Sequence, residues 1–209
     1  MGNIAFKDSR TKENLMRAFA GESQARNRYT ISASTAKKNN LHVVEAIFTF
    51  TANQEKEHAE IFWNLLKEMS GNSIEISAGY PVEVFDNVLK LLRAAENNEN
   101  EEYEDVYRNF ADIAKEEGFF EISSKFDNIA KIEKTHSNRF KLYADMLENN
   151  QLFISDVETS WVCLNCGMVF NGKSAPTTCP VCAHNQGYFI RAELVPFGGE
   201  IYSKADLLK

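Results

Sequence analysis

Gln54-Glu55-Lys56-Glu57-His58-Ala59 and Glu133-Lys134-Thr135-His136 each set a glutamate and a histidine three residues apart, and these two stretches decide the fold. Residues at i and i+3 share one face of an α-helix, so each pair projects to the same side. Around Glu55 and His58 the core period continues through Val44, Ile47, Thr51, Phe62 and Leu65. Around Glu133 and His136 it continues through Phe119, Ile122, Phe126, Ile129, Phe140, Tyr143 and Leu147. Two further stripes carry acids in the same way. One is Leu15, Ala18, Glu22, Ala25 and Tyr29; the other is Leu92, Ala95, Glu99, Glu102, Val106, Phe110 and Ile113. Steps of three and four mark the buried face of an amphipathic helix.

Residues from about 10 to 149 therefore read as four long helices. They are punctuated by the Asn39-Asn40 pair, by Gly71 and Gly79, and by Gly118. Helices of about 30 residues are about 45 Å long. Short breaks after the first and third helices imply two antiparallel hairpins, and the longer connection 71–82 implies a crossover between them, the layout of ferritin-like bundles. After Asn150 the texture changes to short segments rich in glycine and proline. The expected division is a bundle over 1–150, a compact metal-nucleated module over 158–195, and a tail over 196–209 whose role is not legible.

Glu22, Glu55, Glu99, Glu102, Glu133, His58 and His136 all occupy positions where the period demands core residues. A lone buried carboxylate is costly, and several together repel one another and resist ionising. Two polyvalent cations remove that difficulty, because the metal charge dominates the local field. One glutamate from each of two helices plus Glu-x-x-His from the other two is the known ligand set of di-iron and di-manganese carboxylate bundles. A single Glu-x-x-His is a weak signal; two in phase with the core, with in-phase glutamates on the remaining helices, are specific. Imidazole with carboxylate suits iron or manganese. Glu57, Glu101 and Glu104 lie off the stripes and read as a solvated face, and His42, near a helix start, is assigned no role.

All four cysteines fall in the module: Cys163-Leu164-Asn165-Cys166 and Cys179-Pro180-Val181-Cys182. Two C-x-x-C pairs and no other cysteine make a poor disulfide framework but a good tetrahedral S₄ cage. Spacing alone suits a structural zinc ribbon as well as iron. Trp161 before the first pair, Gly167 after it, and the Cys-Pro-x-Cys form of the second favour iron, as does the adjacent di-metal bundle.

The formal net charge of −7 argues against a nucleic-acid partner. The sequence Met1-Gly2-Asn3-Ile4-Ala5-Phe6-Lys7-Asp8 has no apolar signal core, and no apolar run approaches membrane-spanning length, so a cytoplasmic protein without a membrane partner is expected.

These motifs together resemble the rubrerythrin family over nearly the whole chain. The first-helix stretch Ala18-Phe19-Ala20-Gly21-Glu22-Ser23-Gln24-Ala25-Arg26-Asn27-Arg28-Tyr29 is similar to the family's, as are Gln54–Ala59, Glu99-Asn100-Glu101-Glu102-Tyr103, Glu133-x-x-His136 and Cys182-Ala183-His184. The resemblance implies an all-α ferritin-like four-helix bundle with a small C-terminal rubredoxin-like β/loop domain. It implies two non-haem irons in the bundle and one Fe(Cys)₄ iron held by Cys163, Cys166, Cys179 and Cys182. Glu55 and Glu133 would bridge the pair, and Glu22, Glu99 and His136 would be terminal ligands. Glu102 and His58 would be alternative ligands of one iron, with Tyr29 and Tyr107 behind the ligands and His184 close to the Cys₄ iron. The implied activity is an NADH-linked peroxidase that reduces hydrogen peroxide to water in oxidative-stress defence. Its electrons would arrive through a rubredoxin or an NADH-dependent flavoprotein reductase and then the protein's own Cys₄ iron. A head-to-tail homodimer is also implied, since some 20–25 Å of helix separates the bundle site from the exit toward the module. Met168 and Arg108 depart from the family pattern, where an aromatic residue and a proline are common. The rival readings are a ferritin-like ferroxidase and a non-catalytic metal-binding bundle with a zinc ribbon.

Overall fold

The computed structural model describes residues 4–197. Its helices are α1 (Arg10–Lys38), α2 (His42–Leu65), α3 (Val88–Glu101), α4 (Tyr107–Glu116) and α5 (Phe120–Glu148). A π-helical turn, Glu102–Val106, joins α3 to α4, so the two make one rod and the bundle has four. α1 packs along α2, and α5 packs along α3 and α4, giving the two expected hairpins. The reversals use left-handed backbone at Asn40 (φ 55°) and Gly118 (φ 90°), conformations that asparagine and glycine tolerate. Between α2 and α3 the chain crosses over in an extended connection. The residues 198–209 of the expected tail lie outside the described residues.

Local chemistry sets the helix ends. The Ser9 hydroxyl accepts from Lys12 N–H at the start of α1, and the Asn87 side chain accepts from Lys90 N–H at the start of α3. Glu117, just past α4, accepts from Arg10 N–H, Thr11 N–H and the Thr11 hydroxyl. Donors at the first turn of α1 are thus satisfied by a carboxylate on the opposite hairpin, which ties the bundle shut at that end.

The core is two apolar clusters with the acids between them. One, around Tyr29, Phe48, Leu92 and Phe140, lies toward the C-terminal module; the other, around Leu15, Phe62, Tyr107 and Phe126, lies at the far end. The expected stripes of α1, α2 and α5 face these clusters, but the third departs. Val106, Phe110 and Ile113 are only half-buried, and Tyr107, Ala111 and Ala114 take the core positions. The reason is the π turn: Tyr107 N–H donates to Glu102 carbonyl, an i→i+5 bond that inserts one residue and rotates everything after it. Arg108 Nε donates to Tyr103 carbonyl within that turn, at 3.1 Å.

The C-terminal module is a three-stranded antiparallel sheet of β1 (Ile154–Cys163), β2 (Val169–Ser174) and β3 (Phe189–Arg191), ordered β2-β1-β3. Its small core holds Trp161, whose indole N–H donates to Gly172 carbonyl, with Phe189, Cys163 and Cys179. Val162 and Ile190 face the other way and join the bundle's apolar cluster. The module seats on the α1–α2 turn. His42 stacks on Tyr188 with centroids 3.9 Å apart, so a histidine left unassigned in the sequence proves to be a contact between the two parts. Gly187 passes so close to Asn40 that a Cβ there would lie 1.8 Å from the Asn40 carbonyl oxygen. Gly187→Ala should therefore push the module off this seat at a cost of about 1–3 kcal/mol. Helical circular dichroism should persist while proteolysis near residue 150 accelerates; an unchanged cleavage rate would show that this contact does not hold the seat.

Candidate metal centres

At mid-bundle, Glu22 on α1, Glu55 and His58 on α2, Glu99 on α3, and Glu133 and His136 on α5 converge among buried residues. They form two groups that share two members. Glu22, Glu55, His58 and Glu133 make one, and Glu55, Glu99, Glu133 and His136 the other; within each group one donor atom per residue lies within 4.8 Å of all the rest. His58 Nδ1 is 3.1 Å from Glu55 Oε2, 3.0 Å from Glu133 Oε1 and 3.8 Å from Glu22 Oε1. His136 Nδ1 is 3.0 Å from Glu55 Oε1, 2.8 Å from Glu133 Oε2 and 3.5 Å from Glu99 Oε2. Glu55 and Glu133 thus turn one oxygen to each imidazole.

Around this ring a second layer of polar groups fixes orientation. Tyr107 Oη donates to Glu22 Oε1 at 2.5 Å, and Tyr29 Oη donates to Glu99 Oε1. With its Nδ1 turned to the carboxylates, His136 donates from Nε2 to Gln54 Oε1 at 3.1 Å. The same Gln54 oxygen accepts from Arg139, which also donates to Thr51. Gln54 and Arg139 were missed in the sequence, although their spacing was a signal: Gln54 precedes His58 by one helical turn and Arg139 follows His136 by one. Glu102, expected on the core stripe, is half-buried and lies outside both groups, while Glu57, Glu101 and Glu104 are exposed.

The electrostatics are those of a cation site. Burial and the charges of Glu133, Glu102 and Glu55 raise the Glu22 pKa well above the usual carboxylate range. Burial and Glu55 push Glu99 up to about 8. Burial would also raise Glu133, but His136 and His58 outweigh it and hold that carboxyl at about 2. Of the eleven buried side-chain nitrogen and oxygen atoms without a hydrogen-bond partner among the described residues, eight belong to Glu22, Glu55, His58, Glu99, Glu133 and His136. Native interiors rarely leave such atoms unsatisfied, and here they cluster as lone pairs facing common points. The donor set fits two metal ions.

In the module, Cys163, Cys166, Cys179 and Cys182 meet with all four sulfurs within 4.8 Å of one another. Cys163 Sγ is 3.7 Å from Cys182 Sγ, and Cys166 Sγ is 3.6 Å from Cys179 Sγ. A tetrahedron with metal–sulfur bonds of about 2.3 Å has edges of about 3.8 Å. The two knuckles are alike: Gly167 N–H donates to Cys163 carbonyl and Ala183 N–H to Cys179 carbonyl, with left-handed φ of 77° and 60°. Met168 fits this frame, its carbonyl accepting from Cys163 N–H. The His184 backbone N–H points at the Cys182 sulfur and lowers that thiol's pKa to about 6, against the desolvation that opposes it. Its imidazole packs edge-on against Tyr188.

Fold and sites together define the class: a ferritin-like bundle with a carboxylate and histidine di-metal site, carrying a four-cysteine metal module. The model of the family described as rubrerythrin matches residues 13–144, and that of the rubrerythrin, rubredoxin-like domain matches residues 161–190. The rubrerythrin of Clostridium perfringens is 45% identical over 186 residues, covering 88% of this chain and 95% of that protein. The rubrerythrin of Porphyromonas gingivalis is 45% identical over 187 residues, covering 90% and 92%. Fully reduced, all-ferrous nigerythrin superposes with a TM-score of 0.59 at 25% identity, covering 91% of this chain and 94% of that one. The chain belongs to the rubrerythrin family, and its metal sites are a di-iron centre in the bundle and an Fe(Cys)₄ site in the module. No helix among the described residues is long and apolar enough to cross a membrane.

Gln54→Ala should weaken metal retention in the bundle about 10–100-fold by releasing His136, an effect typical of groups behind the ligands. Glu133→Ala should empty the bundle of iron and spare the Cys₄ iron, and Glu57→Ala should change neither. Metal analysis of the purified variants reads all three; equal losses at Glu57 and Glu133 would overturn the ligand assignment.

Proposed function

We propose that this chain is a peroxidase that reduces hydrogen peroxide to water, in oxidative-stress defence, with electrons relayed through its Cys₄ iron. The observation that carries this reading is the pair of shared carboxylates, Glu55 and Glu133, at the centre of a buried site in a chain that also holds a Cys₄ cage. The irons supply two reducing equivalents and Lewis acidity toward an O–O bond, while the Cys₄ iron supplies electrons singly. The protein positions. Glu55 and Glu133, shared by both donor groups, would hold both irons, Glu22, Glu99 and His136 would each hold one, and the Tyr29 and Tyr107 hydroxyls keep Glu99 and Glu22 in place. His58 stands in a ligand group and Glu102 outside it, consistent with two residues that alternate on one iron. The π turn that carries Glu102 gives the backbone a local irregularity at that point.

The di-iron unit is assigned to residues up to 150 and the rubredoxin-like unit to 158–195, with β1 of that unit already beginning at Ile154; no role is assigned beyond 195. The reduced Cys₄ cage suits the cytoplasm. The electron donor is a rubredoxin or an NADH-dependent flavoprotein reductase. A head-to-tail homodimer shortens the relay: the module seats beside His42, and Glu55 lies thirteen residues, about 20 Å, further along α2. A second chain laid antiparallel would bring its Cys₄ iron to the bundle site.

Wild-type protein supplied with NADH and a reductase should consume hydrogen peroxide, and Cys163→Ser should lose this coupled turnover while keeping its bundle iron. Cys163→Ser chains co-refolded with Glu133→Ala chains should regain part of the activity. Mixed dimers that form and stay inactive would exclude relay between subunits. Fe(II)-dependent mineral formation without peroxide turnover would instead make the protein a ferroxidase.

A further inference from the structure

A cavity of about 160 Å³ lies beside the di-iron site, outside both ligand groups. It has room for a few water-sized molecules. Its inner wall is Gly21, Glu102 and Tyr107, and each touches the site's frame. Gly21 precedes Glu22, Glu102 lies one turn beyond Glu99, and the Tyr107 hydroxyl donates to Glu22. The outer wall is the crossover segment at residues 78–81, with the Tyr80 ring over Gly21; a Cβ on Gly21 would lie 3.7 Å from that ring.

The segment is pinned on both sides rather than hanging free. Tyr80 Oη donates to Arg17 carbonyl at 3.0 Å, and Arg17 Nε donates to Ser77 carbonyl at 3.1 Å. Beyond Pro81, Glu83 accepts from Arg28 at 3.0 Å and from Asn98 at 2.9 Å. Arg28 also lines the cavity, and its Nε is buried with no hydrogen-bond partner among the described residues, a donor available to a small polar guest.

We propose that this cavity is the entry chamber of the di-iron site and that Tyr80, pinned over Gly21, restricts it to hydroperoxides of hydrogen-peroxide size. The proposal rests on the peroxidase reading for its substrate class, but the route itself does not. A chamber bounded by a fixed aromatic ring excludes a branched alkyl group by shape, while the absent side chain at Gly21 keeps the inner end open. Tyr80 is here a specificity-determining residue, not a catalytic one.

Two variants test it in the iron-loaded protein, with iron content and helical circular dichroism measured first. Gly21→Leu fills the chamber and should slow azide association with the oxidised centre, followed by absorbance, about tenfold or more. Tyr80→Ala opens it and should raise kcat/KM for tert-butyl hydroperoxide relative to hydrogen peroxide about tenfold or more. Should Gly21→Leu disturb iron loading, azide association in Tyr80→Ala, expected to be faster than in wild type, carries the same question. Azide entry insensitive to both substitutions would overturn the route. An unchanged hydroperoxide preference in Tyr80→Ala would overturn the size filter. If wild-type protein reduces no hydroperoxide while azide entry still depends on Gly21, the peroxidase reading falls and the route stands.

Discussion

Burial of carboxylates in a low-dielectric core is the constraint on which the rest of this structure depends. Glu22 and Glu133 are 0% exposed, and Glu55 and Glu99 are 1% exposed. Without cations such a group would have to take up protons or open to water. The apolar clusters on either side keep it buried: Phe140 and Phe48 close one end, Phe62 and Phe126 the other. The bundle thereby makes a site in which metal charge is the main compensation, and the donors are oriented by hydrogen bonds from Tyr29 and Tyr107 and by the Gln54 oxygen that accepts from His136.

The four rods contribute unequally. α2 and α5 carry both imidazoles and both shared carboxylates, so their relative placement sets the spacing of the two ligand groups. α1 and the third rod each add one acid from outside, and each acid is held by a tyrosine from the other rod: Tyr107 on Glu22, Tyr29 on Glu99. That crossed pairing depends on the π turn. In an uninterrupted α-helix the position two turns after Glu99 is Val106, which has no hydroxyl; the inserted residue brings Tyr107 there instead.

The Cys₄ module and the bundle share apolar surface rather than only a linker, since Val162 and Ile190 pack into the bundle's cluster. The seat is built from features with no chemistry of their own: a glycine against a backbone carbonyl and an imidazole on a phenol ring. Such a seat sets where the iron of the module stands relative to α2, and with it the reach of any electron relay.

Much of this was legible in the sequence because it is local. Glu-x-x-His and C-x-x-C place their members within one turn or one knuckle, where backbone geometry alone brings the donors together. The acids on apolar stripes announced a charged core, and the period joined Glu22 and Glu99 to the two motifs. What lay beyond reach depended on contacts between distant residues. The phase after Glu102 turned on a π bond, which brings Tyr107 to its partner Glu22 on another rod. The role of His42 required Tyr188, far along the chain in the other module, and the chamber under Tyr80 required the crossover to lie against Gly21. By itself the sequence determined which side chains could hold metal, because helical and knuckle geometry act over three or four residues. Only the tertiary structure decided which of them come together, what orients them and what lies beside them, because those relations are set by packing between rods that no local period encodes.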